Sequence, residues 1–120
     1  MSTYAKLKDP VGKCKVLEYV SGAAVTAGTM SVVNGLLVYN LSGASASGQK
    51  VKAVYETHSN GLVLPKQASL AINAGEEVWW DTSASEVDKT NSNVNLGFCV
   101  ESALAADTTV RVTLMNQNVG

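Results

Sequence analysis

Features that mark several large classes of protein are missing from this chain of 120 residues. No apolar run approaches the roughly 20 residues that a membrane-spanning helix needs, so we expect no membrane partner. The formal net charge of −1 is unlike the strongly basic surface of a nucleic-acid binder, so we expect no nucleic-acid partner either. The N-terminal residues contain no apolar stretch of the kind found in signal peptides, and we therefore expect synthesis and folding in a cytosol.

Residues that carry chemistry are also scarce. The two cysteines, Cys14 and Cys99, lack metal-site spacing, and in a cytosol both are expected to be reduced. Cys14 lies between two lysines, which would lower its pKa, whereas Cys99 within LGFCVE is expected to be buried. The single histidine, His58, lies at a predicted turn, and no local motif joins it to a nucleophile and a carboxylate. The sequence therefore predicts no enzyme, no cofactor and no metal site.

Charge is distributed unevenly along the chain. No charged residue occurs between Tyr19 and Gln49, where Ser, Thr, Gly and Asn are frequent. Such a segment is typical of tight loops and of surface that another molecule covers, since burying unpaired charge is costly. The residues before it are basic, and residues 76–107 carry seven carboxylates against Lys89 alone.

Short alternating runs separated by turn residues predict an all-β domain, either a small antiparallel β-barrel or a sandwich. Asn34-Gly35 splits residues 30–41 into a hairpin, because Asn-Gly favours two-residue hairpin turns. Asn60-Gly61 is expected to do the same within residues 50–65. Further strands are expected at residues 15–20, 76–82, 96–101 and 108–115.

The remaining segments predict loops, short helical turns and an N-terminal arm. Residues 42–48 and 81–93 have loop compositions, and single helical turns are expected at residues 67–72 and 102–106. Asp9-Pro10 and Gly12 favour an extended arm over residues 1–14, ahead of a single β domain over residues 15–120. Such an arm is often ordered only by a partner.

Aromatic residues make up only 6% of the chain, yet both tryptophans are adjacent in GEEVWWD, residues 75–81. On a strand, Trp79 and Trp80 must point to opposite faces. One ring can fill the core while the other meets solvent or a partner, and tryptophan is enriched at interaction hot spots.

Several short motifs occur in order between about residues 20 and 116. An A-x-V-x-x-G segment ends at Gly28, and a glycine step lies between Ala44 and Val51. They are followed by GLVLPK at Gly61 to Lys66, AGEEVWWD at Ala74 to Asp81, and a terminal V-x-V-x-L strand at Val110 to Leu114. In this order the motifs resemble the capsid cement, or decoration, protein family of tailed phages and prophages.

The resemblance implies a non-enzymatic protein on the outer surface of the virion. Such proteins are expected to bind the expanded head, to bridge neighbouring subunits of the major capsid protein and to stabilise the shell. The resemblance also implies self-association, with a homotrimer preferred and a dimer as the alternative, and synthesis in the host cytoplasm.

Site residues follow from the same resemblance. Trp80 stands at a family position and is expected to be structural, as are Asp81, a turn-forming strand end, and Pro65. Trp79 replaces a usual tyrosine and is expected to contact another subunit or the capsid. The arm lies before the matched motifs, and its lysines are expected to order it on an acidic capsid surface. The arm residues expected to bind the capsid are Tyr4, Lys6, Lys8 and Lys13.

Two other functions stay open. An outward tryptophan could stack on a sugar, which would make the chain a carbohydrate- or surface-binding module of a phage structural protein. A small hydrolase would require His58 to lie within hydrogen-bond reach of a carboxylate and a nucleophile.

Overall fold

The computed structural model describes residues 4–115, which form two antiparallel sheets and contain no α-helix. One sheet has six strands in the order β1-β6-β10-β9-β7-β8, and the other has four in the order β2-β5-β4-β3. The prediction of an all-β fold is confirmed, in an arrangement that fits a sandwich. The strands are β1 Lys6–Leu7, β2 Lys15–Val20, β3 Met30–Val33, β4 Leu36–Asn40, β5 Lys50–Glu56, β6 Leu62–Pro65, β7 Glu77–Asp81, β8 Glu86–Asp88, β9 Val94–Glu101 and β10 Thr109–Val112.

The first Asn-Gly pair forms the predicted hairpin. Strands β3 and β4 pair in antiparallel register up to Val33 opposite Leu36. Asn34 has φ 51° and Gly35 has φ 87°, and positive φ at both central residues defines the type I′ turn that suits the twist of a hairpin.

The second Asn-Gly pair does not form a hairpin, and this prediction is wrong. Strand β5 belongs to the four-stranded sheet, whereas β6 belongs to the six-stranded sheet and pairs with β10. Before the turn, the Thr57 N–H donates to the Leu114 carbonyl over 2.9 Å, and the Leu114 N–H donates to Thr57 Oγ1 over 2.9 Å. These bonds direct the chain towards β10, so that Asn60-Gly61 lies where the chain crosses from one sheet to the other.

One loop prediction and the two predicted helical turns also need correction. Residues 81–93 contain a strand, β8, because the Asp81 carboxylate accepts the N–H groups of Ser83 and Ala84 in a tight turn that reverses the chain. Residues 67–72 and 102–106 are turns rather than helical turns. Ile72 and Ala103 exchange main-chain hydrogen bonds of 3.0 and 2.8 Å, which ties the two segments together. The short helix of the described chain, a 3₁₀ turn, lies at Val11–Lys13.

The main core lies on the inner face of the six-stranded sheet and includes Met30 and Leu37 from the facing sheet. Burial of these side chains from water is the principal force that holds the two sheets together. The fully buried large side chains of this cluster are Leu37, Leu62, Leu64, Ile72, Val78, Val87, Leu96, Val112 and Leu114.

Polar groups within the charge-free segment are satisfied by one another. Asn40 is fully buried. Its Oδ1 accepts the Tyr19 hydroxyl over 2.7 Å, and its Nδ2 donates to Thr29 Oγ1 and Ser31 Oγ over 3.2 and 2.9 Å. Neutral hydroxyls and an amide thus stabilise the interior here without a buried ion pair and its desolvation cost.

Residues 4–13 of the predicted arm pack against the rest of the domain. The N–H groups of Tyr4 and Ala5 donate to the Gly28 carbonyl, and β1 pairs with β6. The buried Asp9 carboxylate accepts the Gly61 N–H over 2.8 Å. The described part of the arm is therefore ordered by the chain's own contacts, and the division at residue 14 stays a prediction.

Gly61 is the glycine with the closest backbone approach. Its φ is 66°, and a Cβ built on it would lie 2.0 Å from the Val112 carbonyl oxygen. A backbone atom cannot move aside as a flexible side chain can. Any larger residue at position 61 must therefore push the segment that crosses between the sheets away from β10.

We expect Gly61→Ala to lower the free energy of unfolding by about 3 kcal/mol or more, as large steric conflicts in packed regions do. Gly48→Ala is the matched control, because Gly48 has φ 88° and nothing within 4 Å of its virtual Cβ. It should cost only about 1 to 2 kcal/mol for the left-handed backbone. Urea unfolding of both variants measures the difference, and equal losses would contradict the steric explanation.

Candidate interaction surface

Strand β7 separates the two tryptophans as alternation requires. Trp80 is 2% exposed and belongs to the core. Its ring stacks on that of Tyr4, with centroids 5.8 Å apart and an interplanar angle of 18°. The Tyr4 hydroxyl accepts the Met30 N–H over 2.8 Å and lies 3.4 Å from the Met30 carbonyl oxygen. Tyr4 thus joins the arm both to the core and to strand β3.

Trp79 lies on the opposite, outer face of the six-stranded sheet and is half-buried. Its neighbours across the sheet are Asp88 on β8 and Asn95 on β9. Asp88 is itself buried, and its carboxylate accepts hydrogen bonds from the Thr90 N–H and from Asn93 Nδ2, which offset the cost of its burial.

A bulge in β9 places Phe98 on the same outer face. Glu77 pairs with Phe98, Val78 with Gly97 and Trp79 with Asn95. Leu96 is therefore an extra residue in β9 that has no partner in β7. The bulge keeps Leu96 in the core and leaves Phe98 41% exposed. Strict alternation along LGFCVE would instead place Leu96 and Phe98 on one face. Gly97 makes the bulge possible, since it has φ 152° and a Cβ there would lie 2.6 Å from the Thr113 carbonyl oxygen.

We call Trp79 and Phe98 the aromatic patch. Beside it, Asn95 Nδ2 donates to Glu77 Oε2 over 2.7 Å. The Asn95 Oδ1 atom is buried and has no hydrogen-bond partner within residues 4–115. Buried acceptors usually have a hydrogen-bond donor, and exposed aromatic rings are common in protein interfaces. The unpaired Asn95 Oδ1 beside two partly exposed rings is therefore typical of a surface that another protein contacts. Sequence reasoning missed Phe98, although the glycine inside its strand is a recognised signal for a bulge.

The three arm lysines are exposed and do not lie in one cluster with the aromatic patch. Lys6 is opposite Val63 at the edge of the six-stranded sheet, and Lys13 lies in the 3₁₀ turn. Lys8 lines a groove of about 700 Å³ together with residues of both charges, among them Asp107 and Arg111.

Pro65 and Lys66 close strand β6. Pro65 is the last residue of the strand and is half-buried. Lys66 is only 5% exposed, and its ammonium donates to the carbonyls of Gln67 and Leu70 over 3.0 and 2.5 Å. Lys66 of the GLVLPK motif therefore holds the turn that follows β6, and the structural role of Pro65 stays a prediction.

Within the described residues, the histidine and the cysteines belong to no catalytic or metal-binding group of side chains. His58 is exposed, and its Nδ1 atom lies 3.2 Å from the hydroxyl of the adjacent Ser59. Within residues 4–115, no group of His, Cys, Asp and Glu could hold a metal ion.

Partial burial raises the pKa of Cys14, and a hydrogen bond with the His58 backbone lowers it by a smaller amount. The expectation of a lowered pKa at Cys14 was therefore wrong. Burial likewise raises the pKa of Cys99.

Comparison with known protein families shows which family the chain belongs to. The family model described as phage cement protein matches residues 11–114. The chain belongs to the phage cement protein family. No match was found among the curated proteins or among the solved structures. No helix within residues 4–115 is long and apolar enough to span a membrane.

The cement family is structural rather than enzymatic and is associated with the phage capsid. The match includes the aromatic patch, Trp80, Asp81, Pro65 and Lys13. It begins after Tyr4, Lys6 and Lys8, so strand β1 and Tyr4 of this cement protein lie outside the matched region, whereas Met30 and Trp80, which Tyr4 contacts, lie inside it.

We expect Tyr4→Phe to lower the free energy of unfolding by about 1 kcal/mol, because the Met30 N–H loses its acceptor while the ring stack stays in place. Tyr55→Phe is the matched control, since no hydrogen bond is found for the Tyr55 hydroxyl within the described chain. It should change stability by less than about 0.5 kcal/mol. Chemical denaturation of both variants tests the difference, and an unchanged Tyr4→Phe protein would show that the hydroxyl contributes nothing.

Proposed function

We propose that this cement protein binds the outer surface of the expanded phage head and bridges neighbouring subunits of the major capsid protein. The observation that carries the proposal is the family match over residues 11–114. Bridging from outside stabilises a shell because each attached molecule must release several contacts before two capsid subunits can separate.

The aromatic patch supports a protein contact on the outer face of the six-stranded sheet. Phe98 is 41% exposed in a chain with one phenylalanine and two tryptophans. Covering two rings removes apolar area from water, and aromatic residues dominate the binding energy of many interfaces. We therefore assign Trp79 and Phe98 to a capsid or subunit contact.

The arm lysines give the proposal an electrostatic component. Lys6, Lys8 and Lys13 are exposed, while the nearby Asp9 carboxylate is buried and bound to the Asn60 and Gly61 N–H groups. The lysines are proposed to face an acidic area of the capsid, and this part of the affinity should weaken as salt rises. Tyr4, the fourth arm residue, would act indirectly by holding the arm to the domain.

Self-association is the second part of the proposal, with a homotrimer preferred over a dimer. An oligomer that touches several capsid subunits binds far more tightly than one contact allows. Sedimentation velocity of the isolated protein and cryo-EM of decorated heads distinguish an oligomer that forms in solution from one that forms on the shell.

The proposal is tested by mixing the purified protein with undecorated heads of the same phage and measuring co-sedimentation. We expect saturable binding to expanded heads and much weaker binding to unexpanded proheads. Decorated heads should also resist heat or chelator treatment better than bare heads. Absence of binding, or equal binding to both head forms, would contradict the proposal.

For the aromatic patch, we expect the double variant Trp79→Ala/Phe98→Ala to lose at least tenfold in affinity for expanded heads, since hot-spot aromatics contribute about 2 kcal/mol or more each. Leu104→Ala is the control, because Leu104 is 71% exposed and lies in a loop outside the patch. Unfolding midpoints should be measured for both proteins. Full retention of binding by a folded double variant would show that the aromatic patch is not part of the interface.

The carbohydrate-binding alternative stays a prediction, and the aromatic patch would be its platform. Titration with oligosaccharides distinguishes it, because stacking on Trp79 would change tryptophan emission. For a cement protein we expect no change in emission and no loss of head binding in the presence of sugar.

A further inference from the structure

A free strand edge lies beside the Tyr4–Trp80 stack. Within residues 4–115, strand β3 is at one edge of the four-stranded sheet and pairs only with β4. In an antiparallel pair, alternate residues direct their N–H and C=O groups away from the partner strand. The two-residue turn makes Val33 and Leu36 a hydrogen-bonded pair. Met30 and Val32 are therefore the residues of β3 whose main-chain groups face outward.

Tyr4 already occupies one of these outward positions. Its hydroxyl accepts the Met30 N–H over 2.8 Å and lies 3.4 Å from the Met30 carbonyl oxygen, as a neighbouring strand would. Within the described chain, no side chain makes such bonds to Val32, whose side chain is 45% exposed. The next pairing position along β3 is thus open.

The open edge borders a groove of about 470 Å³ between the two sheets, which we call the β3 groove. A liquid water occupies about 30 Å³, so the groove has room for whole side chains. Its apolar and aromatic lining comes from Tyr4, Met30, Val32, Trp80 and Val94, and hydroxyl-bearing residues of β3 and of the β7–β8 turn complete it. None of the lining residues is charged.

We infer that the β3 groove receives an extended, uncharged segment of the major capsid protein, which adds to β3 as a further strand. The inference rests on the proposed function. Main-chain pairing at Val32 would supply affinity, and an apolar side chain placed against Tyr4 and Trp80 would supply specificity, as in other cases of strand addition. A charged side chain would lose hydration there without meeting an opposite charge.

The short edge favours the capsid over a second copy of this chain as the occupant. Strand β3 has four residues, and Tyr4 covers one of its outward positions. Pairing of two such edges would fall well short of the roughly 1,000 Å² that a stable protein interface buries. A weak contact is sufficient on a shell, because each bound oligomer makes it several times.

Proline at position 32 tests this pairing directly. Val32→Pro removes an N–H that faces outward and leaves the bonds between β3 and β4 in place, and proline is tolerated on edge strands for this reason. Val20→Pro is the matched control at the opposite edge of the same sheet. The register of Val20 with Lys50 and the bond from the Ser21 N–H to the Gln49 carbonyl direct the Val20 N–H outward too. Val20 is 63% exposed.

Lysine at the same two positions gives a second pair of variants that keeps every main-chain donor. Val32→Lys introduces a charge next to an uncharged groove, and lysine on an edge strand is a common barrier to strand addition. Val20→Lys places the same charge at the other edge. Unfolding midpoints and sedimentation velocity of all four variants establish folding and oligomeric state before binding is measured.

We expect both Val32 variants to bind expanded heads roughly tenfold or more weakly than the original protein, and both Val20 variants to bind within about twofold of it. Full binding by folded Val32 variants would overturn the inference while leaving the proposed function intact. Failure of the original protein to bind heads would overturn both. If the Val32 variants instead lost self-association, the groove would belong to a second copy, and the inference would be wrong.

Discussion

The path of the chain through residues 112 and 113 is the constraint on which the rest of the fold depends. Two glycines approach this segment so closely that a Cβ at Gly61 would lie 2.0 Å from the Val112 carbonyl oxygen, and one at Gly97 would lie 2.6 Å from that of Thr113. The first contact fixes where the chain crosses between the sheets. The second fixes the bulge in β9. Close packing of backbone against backbone leaves no room for adjustment, which is why glycine is required at both positions.

The bulge has a direct consequence for the surface. By shifting the register between β7 and β9, it buries Leu96 and brings Phe98 to the outer face near Trp79. Without the extra residue, Leu96 and Phe98 would share one face, so that either Leu96 would leave the core or Phe98 would leave the surface. A backbone feature that stabilises the core is thus also the feature that forms the aromatic patch, in keeping with the tendency of bulges to redirect side chains at functional places.

Much of the fold could be predicted from local patterns, and the exceptions have physical causes. The alternation of apolar and polar residues predicted most of the strands. Asn34-Gly35 predicted a hairpin correctly, because both residues adopt positive φ. The same dipeptide at Asn60-Gly61 failed, since long-range bonds from Thr57 to Leu114 decide the direction of the chain there. Strand β8 was not predicted, because residues 81–93 have the composition of a loop. Its pairing with β7 depends on a turn formed by Asp81.

The candidate site likewise has features that local sequence patterns predict and features that they do not. The adjacent tryptophans had to face opposite sides of a strand, and the family resemblance indicated which ring would be internal. The stack of Tyr4 on Trp80 and the outward position of Phe98 depend on contacts between residues far apart in sequence, so no local pattern could indicate them. The arm was expected to wait for a partner, yet its described part is ordered by β6, Gly28 and Met30.

A cryo-EM map of expanded heads decorated with this protein tests the central claim most directly. The account predicts density for the two-sheet domain on the outer surface, with each bound oligomer in contact with at least two subunits of the major capsid protein. Density confined to a single capsid subunit, or located on the inner surface of the shell, would contradict it.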